Sequence, residues 1–294
     1  MRLLRYTVGG AKAIEEPVTL DFSENSCGIK AIYGANGSGK SSIIGSVGTL
    51  RDCITIPGYL HDANVQKYLL GEINKKVGEM YMRVEFEDSG LTHSYELTMR
   101  QCGGVLEYDT RGEYAYAAEF AKRLITTTQN VADTNRLYEF LHRFRSDIKA
   151  IEKVDGDIQF VYDSYKIRLD NESTGLRRLV RLYSMIERAA HGDIAFIDDL
   201  DACIHEVYLK CLVEYMMEYG KGQLCFTTQN ISLIDVLKGE KNTIDFLDEE
   251  HKLTIGNHPT AAMYRRGMIP NSSFNVDSID FLRAFGQDED VEGW

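Results

Sequence analysis

Proline is scarce, with four in 294 residues, and there is one tryptophan. Without a Pro-rich or low-complexity stretch or an internal repeat, nothing marks a linker between separate lobes, so one compact unit is expected. No apolar run approaches the roughly 18 residues of a membrane span. The opening residues, Met1 to Tyr6, lack the apolar stretch of a signal peptide. These absences predict a cytoplasmic protein without a membrane partner. The six cysteines (Cys27, Cys53, Cys102, Cys203, Cys211 and Cys225) form no CxxC pair, which argues against a zinc site; in a reducing compartment they are expected to be buried free thiols. Positive charge is in deficit: 33 Lys and Arg against 45 Asp and Glu leave a net charge of −12. That argues against a surface built throughout for nucleic acid, while leaving a local basic groove, and so a nucleic-acid contact, open. The short basic groups at Lys75-Lys76, Arg143 with Arg145, Arg177-Arg178 with Arg181, and Arg265-Arg266 are read as solvated helix faces or rims of a phosphate site.

What is present has the ordinary balance of a folded protein, 44% hydrophobic and 27% charged. Arg2–Val8 and Pro17–Phe22 alternate with the period of half-buried strands, on either side of Gly9-Gly10. Lys30 to Tyr33 is a short strand ending at Gly34. Ile43, Ile44, Val47 and Leu50 then recur at helical spacing. Tyr81–Glu87 and Thr92–Met99 flank the turn Asp88-Ser89-Gly90, with Val105–Tyr108 as a third strand of a meander. Residues 115–150 favour helix, interrupted at Thr126-Thr127-Thr128. Helices carrying Leu176, Leu179, Val180, Tyr183 and Ile186, and then Val207, Leu209, Leu212, Val213 and Met216, alternate with the buried strands Ile194–Ile197 and Gln223–Thr228. This alternation predicts a sheet with a parallel core. Thr243–Leu247 and Lys252–Ile255 predict an antiparallel hairpin at its edge, and the acidic tail Gln287–Trp294 is expected to fray.

Gly34-Ala35-Asn36-Gly37-Ser38-Gly39-Lys40-Ser41 satisfies GxxxxGK followed by Ser or Thr, the P-loop pattern. A triphosphate needs many donors close together. Glycines let backbone N–H groups converge without Cβ interference, and the following helix adds its positive dipole end. Four fixed positions would match by chance in roughly one chain of this length in a hundred, and the placement between strand and helix lowers that further. Lys40 is expected on the β- and γ-phosphates of ATP, and the Ser41 hydroxyl on Mg²⁺. Ile194 to Ile197 followed by Asp198-Asp199 is an apolar strand ending in carboxylates, the Walker B pattern, with Asp198 as the second Mg²⁺ partner.

Further segments fall in a recognisable order. Thr19-Leu20-Asp21-Phe22 closes the opening strands, and Tyr33 to Ser42 carries the P-loop with its Asn-Gly pair. Glu172-Ser173-Thr174-Gly175-Leu176-Arg177-Arg178-Leu179 opens a helix, and Asp198 to His205 extends Walker B. Phe226-Thr227-Thr228-Gln229-Asn230 and Tyr264 to Pro270 follow. In this order the chain resembles the ABC-type ATPase heads of the SMC and OLD-like group, among them small bacterial ATP-binding proteins of phage-defence and abortive-infection systems. The resemblance implies an α/β P-loop NTPase fold over a single domain, 1–294. Its parts would be a mixed, parallel-core sheet, an antiparallel β-layer and a helical insertion. The core would cover about 1–50 and 155–285, with the β-meander and helical region at about 51–154 inserted. It implies nucleotide contacts from Gly34 through Ser42. It also makes Ser173 and Gly175 the signature that closes over the γ-phosphate of a second subunit, giving a homodimer through ATP. A helix start with a Ser and a Gly is a second anion site in its own right, although a plain helix cap uses the same residues.

Two departures from the family pattern bear on hydrolysis. The residue after Asp198 is normally Glu and here is Asp199; the switch His is here Gln229. Losing one methylene retracts the carboxylate by roughly 1.5 Å, and misplacement of that order costs about a hundredfold in rate. Gln229 can still donate a hydrogen bond but carries no charge. The resemblance therefore implies a slow ATPase, with Asp199, Gln229 and Lys40 as catalytic residues, or a scaffold that clamps and releases an effector without significant turnover. About 130 residues separate Ser41 from Ser173 without a sustained heptad pattern, so no long coiled-coil arm is expected; nor is a C-terminal nuclease domain. The effector, a nuclease or toxin, is expected on another chain. Gln66 is the candidate for a glutamine following the first helix. No Arg-rich lid or Asn-Lys-x-Asp motif points to a kinase or GTPase.

Overall fold

The computed structural model describes residues 1–127, 131, 133–248, 253–255 and 263. The chain opens with β1 (Arg2–Gly9) and β2 (Val18–Asp21), an antiparallel pair. β3 (Ile29–Gly34) is buried along its whole length, and α1 (Lys40–Thr55) and α2 (Ala63–Glu72) follow. The meander is β4 (Glu79–Asp88), β5 (Leu91–Cys102) and β6 (Val105–Gly112), longer than its sequence pattern suggests. Next come α3 (Tyr114–Ala121), β7 (Leu124–Ile125) and α4 (Thr134–His142). Three short strands, β8 (Ala150–Val154), β9 (Asp157–Val161) and β10 (Lys166–Arg168), form a small antiparallel sheet that the sequence pattern does not reveal. The C-terminal half runs α5 (Thr174–Ala190), β11 (Ile194–Ile197), α6 (Glu206–Tyr219), β12 (Gln223–Thr227) and α7 (Ser232–Leu237). It ends in β13 (Ile244–Leu247) and β14 (Leu253–Ile255).

The fold is mixed α/β. A six-stranded sheet has the order β14-β13-β3-β12-β11-β7, parallel except for the antiparallel β13–β14 hairpin at its edge. A five-stranded antiparallel sheet has the order β2-β1-β4-β5-β6. Since β4 pairs with β1 along Arg2–Gly9, the meander continues the sheet of the opening strands.

Alternation along the central strands sorts side chains into two cores. Ile29, Ala31, Tyr33, Ala195, Ile197 and Phe226 face the side covered by α5, α6 and α7. Ile32, Ile194, Phe196 and Cys225 face α1 and the antiparallel sheet. α5 buries Leu176, Leu179, Val180, Tyr183 and Ile186 as its spacing predicts. α6 buries Leu209, Val213 and Met216 but exposes Val207, a correction to its expected apolar face. The two sheets are stitched by a buried amide: Leu3 N–H donates to Gln223 Oε1 at 2.7 Å, and Gln223 Nε2 donates to the Leu3 carbonyl at 3.0 Å. The bond pair falls where β1 carries a register shift against β4, between Leu3 and Arg5. All six cysteines are free, yet only Cys225 is buried; Cys102, Cys203 and Cys211 are exposed, so the expectation of buried thiols fails for them. No helix among the described residues is long and apolar enough to cross a membrane. Tyr264 to Pro270 and the acidic tail lie outside the described residues.

Candidate functional site

The P-loop leaves the central strand β3 and opens α1. At its start only a glycine fits: a Cβ on Gly34 would lie 2.4 Å from the Leu247 carbonyl oxygen and 2.7 Å from Ser38 Oγ. Gly37 and Gly39 adopt φ of 84° and 100°, the left-handed region where a side chain is strained. Gly39 is the N-cap and supplies no side-chain acceptor. The first bonds of the helix run from the Ser42 and Ile43 amides to the Gly39 carbonyl, so the amides ahead of them are the orphan donors of a helix start. Open space surrounds the Cβ position of Gly37. The loop is thus a rim of N–H groups with room above it, which fits a polyphosphate.

Lys40 is 7% exposed. Its Nζ donates to the carbonyls of Gly34 at 2.6 Å and Ala35 at 2.9 Å, two of the three bonds an ammonium can make. Burial lowers its pKa, while the nearby charges of Asp199, Asp198 and Asp201 oppose the shift.

Those carboxylates follow β11. The Thr227 hydroxyl at the end of β12 brackets the turn: it donates to Asp198 Oδ1 at 2.6 Å and accepts from the Asp199 amide at 2.7 Å. Arg178 closes the other side, its Nη2 donating to the carbonyls of Asp198 at 2.8 Å and Asp199 at 2.6 Å. Asp199 is held at φ 49°, in the left-handed region. Its pKa is raised, first by burial and then by Asp198 and Asp201, which makes its carboxylate a better proton acceptor than a free one.

The loop after β12 reaches the P-loop directly. The Thr228 amide donates to the Ile32 carbonyl at 3.2 Å, Tyr33 Oη donates to the Asn230 carbonyl at 3.0 Å, and Gln229 Nε2 donates to Asn36 Oδ1 at 2.8 Å. Asn36, Lys40, Ser41, Asp199 and Gln229 line one cleft of about 230 Å³. That is below the roughly 300–1,000 Å³ of a pocket that encloses a small ligand. It has room for phosphates and leaves the rest of a nucleotide outside.

Asp198 does not line this cleft; it lines a larger cavity on the same turn, so Asp199 is the carboxylate sharing the cleft with Ser41. No group of three or more His, Cys, Asp or Glu side chains suited to a metal occurs among the described residues. A hydroxyl with one carboxylate nonetheless fits Mg²⁺, which keeps waters and takes substrate oxygens rather than an all-protein cage.

Ser173 and Gly175 stand elsewhere. Ser173 is the N-cap of α5, its Oγ accepting from the Leu176 amide at 3.3 Å. Both residues line a separate cavity of about 350 Å³ with Arg145, His205 and Tyr208, and neither borders the P-loop cleft. Gln66 is occupied locally, its Nε2 donating to the Leu60 carbonyl at 2.9 Å. Arg178 and Thr227, which hold the Asp198–Asp199 turn, carry no sequence signal of that role beyond lying inside motifs read for other reasons.

No family model matches the chain, and no curated protein matches it. Among solved structures, the SMC head domain from Thermotoga maritima is similar over 87% of this chain and 99% of that one, at 16% sequence identity and a TM-score of 0.46. A likeness at that level assigns neither ligand nor activity.

Proposed function

We propose that this chain binds ATP with Mg²⁺ at Gly34–Ser42 and works as a slow ATP-hydrolysing switch. The observation that carries the reading is the glycine-framed helix start with its orphan amides and Lys40, facing Asp199 and Gln229 across one cleft. Lys40 would leave the loop carbonyls for phosphate oxygens. Ser41 would hold Mg²⁺ directly and Asp198, which lines the neighbouring cavity rather than this cleft, would hold it through a water; the ion's positive charge would offset the negative charge of the phosphates. Asp199 would take a proton from the attacking water as the bond to the terminal phosphoryl group breaks, and Gln229 would orient that water.

The cleft leaves most of a nucleotide uncovered, which favours closure by a second copy through Ser173 and Gly175, hence an ATP-dependent homodimer. In this proposal the switch acts on a separate effector protein, a nuclease or toxin, in antiviral defence. That part rests on the resemblance of the motifs alone. A second reading, an ATP-dependent scaffold with negligible turnover, is favoured by the short Asp199 and by the bond that engages Gln229 with Asn36.

Calorimetry with ATP and the Lys40→Ala chain tests the nucleotide claim. Removing two charge-assisted bonds should weaken binding by about a hundredfold, with the circular dichroism unchanged. Unaltered affinity would remove the P-loop role. Phosphate release by wild type and Asp199→Ala then separates the switch from the scaffold, since equal background rates with ATP still bound would leave only the scaffold.

A further inference from the structure

A larger cavity, about 560 Å³, lies between the first turns of α5, the end of β11 and Thr126-Thr127 after β7. It is more than twice the volume of the P-loop cleft and within the range of pockets that enclose small ligands. Three arginines within about one turn of α5, Arg177, Arg178 and Arg181, line it. Arg178 is committed to the main-chain carbonyls of Asp198 and Asp199. Arg177 differs: its Nε is buried without a hydrogen-bond acceptor. A buried guanidinium N–H without an acceptor is costly, and a group bound in the cavity would satisfy it. Leu182 and Met185, further along the same helix, and Ile197 of β11 add an apolar lining.

We propose that this cavity is a second anion site, separate from the P-loop, that takes a small phosphate monoester of nucleotide size. Its phosphate is held by Arg177, whose planar fork suits phosphate oxygens, with Arg181 adding positive charge to the cavity, and its organic body packs on Leu182, Met185 and Ile197. The same cavity borders Asp198 and Asp199 and the arginine that holds their turn. It also borders Thr126, whose Oγ1 accepts from Arg51 of α1 at 3.1 Å. A ligand there touches the Asp198–Asp199 turn and, through Thr126, the far end of α1 without occupying the P-loop cleft.

AMP is the probe, because a P-loop grips the β- and γ-phosphates that AMP lacks. Titrated calorimetrically without magnesium into the full Lys40→Ala chain, AMP should bind one equivalent. Arg177→Gln in that background should weaken binding about tenfold or more, the loss of one charge-assisted contact. Thr174→Glu gives a second arm: Thr174 is exposed at the first turn of α5, where an acid suits the helix start and keeps the fold. Its carboxylate at the cavity wall should weaken AMP similarly. No binding to the Lys40→Ala chain, or binding indifferent to both substitutions, would overturn the site. Neither result bears on ATP at the P-loop, which is read from the wild-type titration with ATP.

Discussion

In the proposed hydrolysis, Asp199 concentrates the chemistry of the cleft in one residue. Its carboxylate lies in reach of the Lys40 charge, its backbone is held in the left-handed region, and its flanking carbonyls are fixed by Arg178. The raised pKa has a definite sign for activity: below that value the carboxyl is protonated and cannot take a proton from water, so turnover should rise with pH through it. A longer arm would bring the carboxylate forward, and an imidazole at 229 could carry charge where the amide cannot. The double variant Asp199→Glu with Gln229→His should raise phosphate release by one to two orders of magnitude, the scale of a misplaced catalytic group. ATP affinity should change little. An unchanged or lower rate in a steady-state phosphate assay would place the limit on turnover elsewhere.

At the scale of elements, the P-loop depends on how β3 is seated. Lys30 of β3 and Asp245 of β13 form a buried ion pair at 3.1 Å, with Lys30 also donating to Asn242 Oδ1 at 2.9 Å and lying 5.4 Å from the Phe22 ring centroid. Removing one partner strands the other: Lys30→Met should destabilise by about 3–5 kcal/mol, while Lys30→Met with Asp245→Leu should recover most of it. Burial raises the Asp245 pKa to about 6 despite Lys30. The folded chain therefore holds this proton more tightly than the unfolded one. Its stabilising contribution is full below about pH 4 and is lost as pH rises to about 6. Urea unfolding of wild type against the double variant, at pH 4 and pH 7, should show wild type losing ground at the higher pH. A constant difference would contradict the assignment.

These elements also mark what could be read in advance. β3, α1, α5, β11 and β12 were legible because their signals are local: unbroken apolar runs or a stripe at helical spacing, bounded by glycine or acid. The pairing of β4 with β1 was not, since the register joins Arg2 to Glu87 and nothing local encodes a partner so distant. β8 to β10 are too short for alternation to stand out. Within the candidate site, Gly34 to Ser41 were legible because one loop carries them. The meeting of Asp199 and Gln229 beside that loop follows from strand order, with β12 between β3 and β11. The Thr227 bracket depends on a side-chain bond across two strands, which no spacing rule reports.

For the whole molecule, the open question is what covers the cleft. A cleft of about 230 Å³ would leave a bound nucleotide half in water, and Ser173 and Gly175 at the start of α5 line a different cavity. In the proposed dimer, Ser173 of one copy would meet the nucleotide of another, and both facts would follow. Substitution at Ser173 has to separate that role from capping, because its Oγ already caps α5. Ser173→Asp does so: aspartate caps a helix as well as serine and should keep the melting temperature, yet it sets a carboxylate against the phosphates of the partner's nucleotide. Light scattering on an Asp199→Ala background, with ATP and magnesium, should show a dimer that Ser173→Asp abolishes while ATP binding persists. Two chains of net charge −12 also repel, so the dimer should strengthen between low and physiological salt as screening shortens that repulsion to about 8 Å. A Ser173→Asp chain that dimerises normally with ATP would reduce the motif to a helix cap. It would leave the nucleotide to be covered by some other surface.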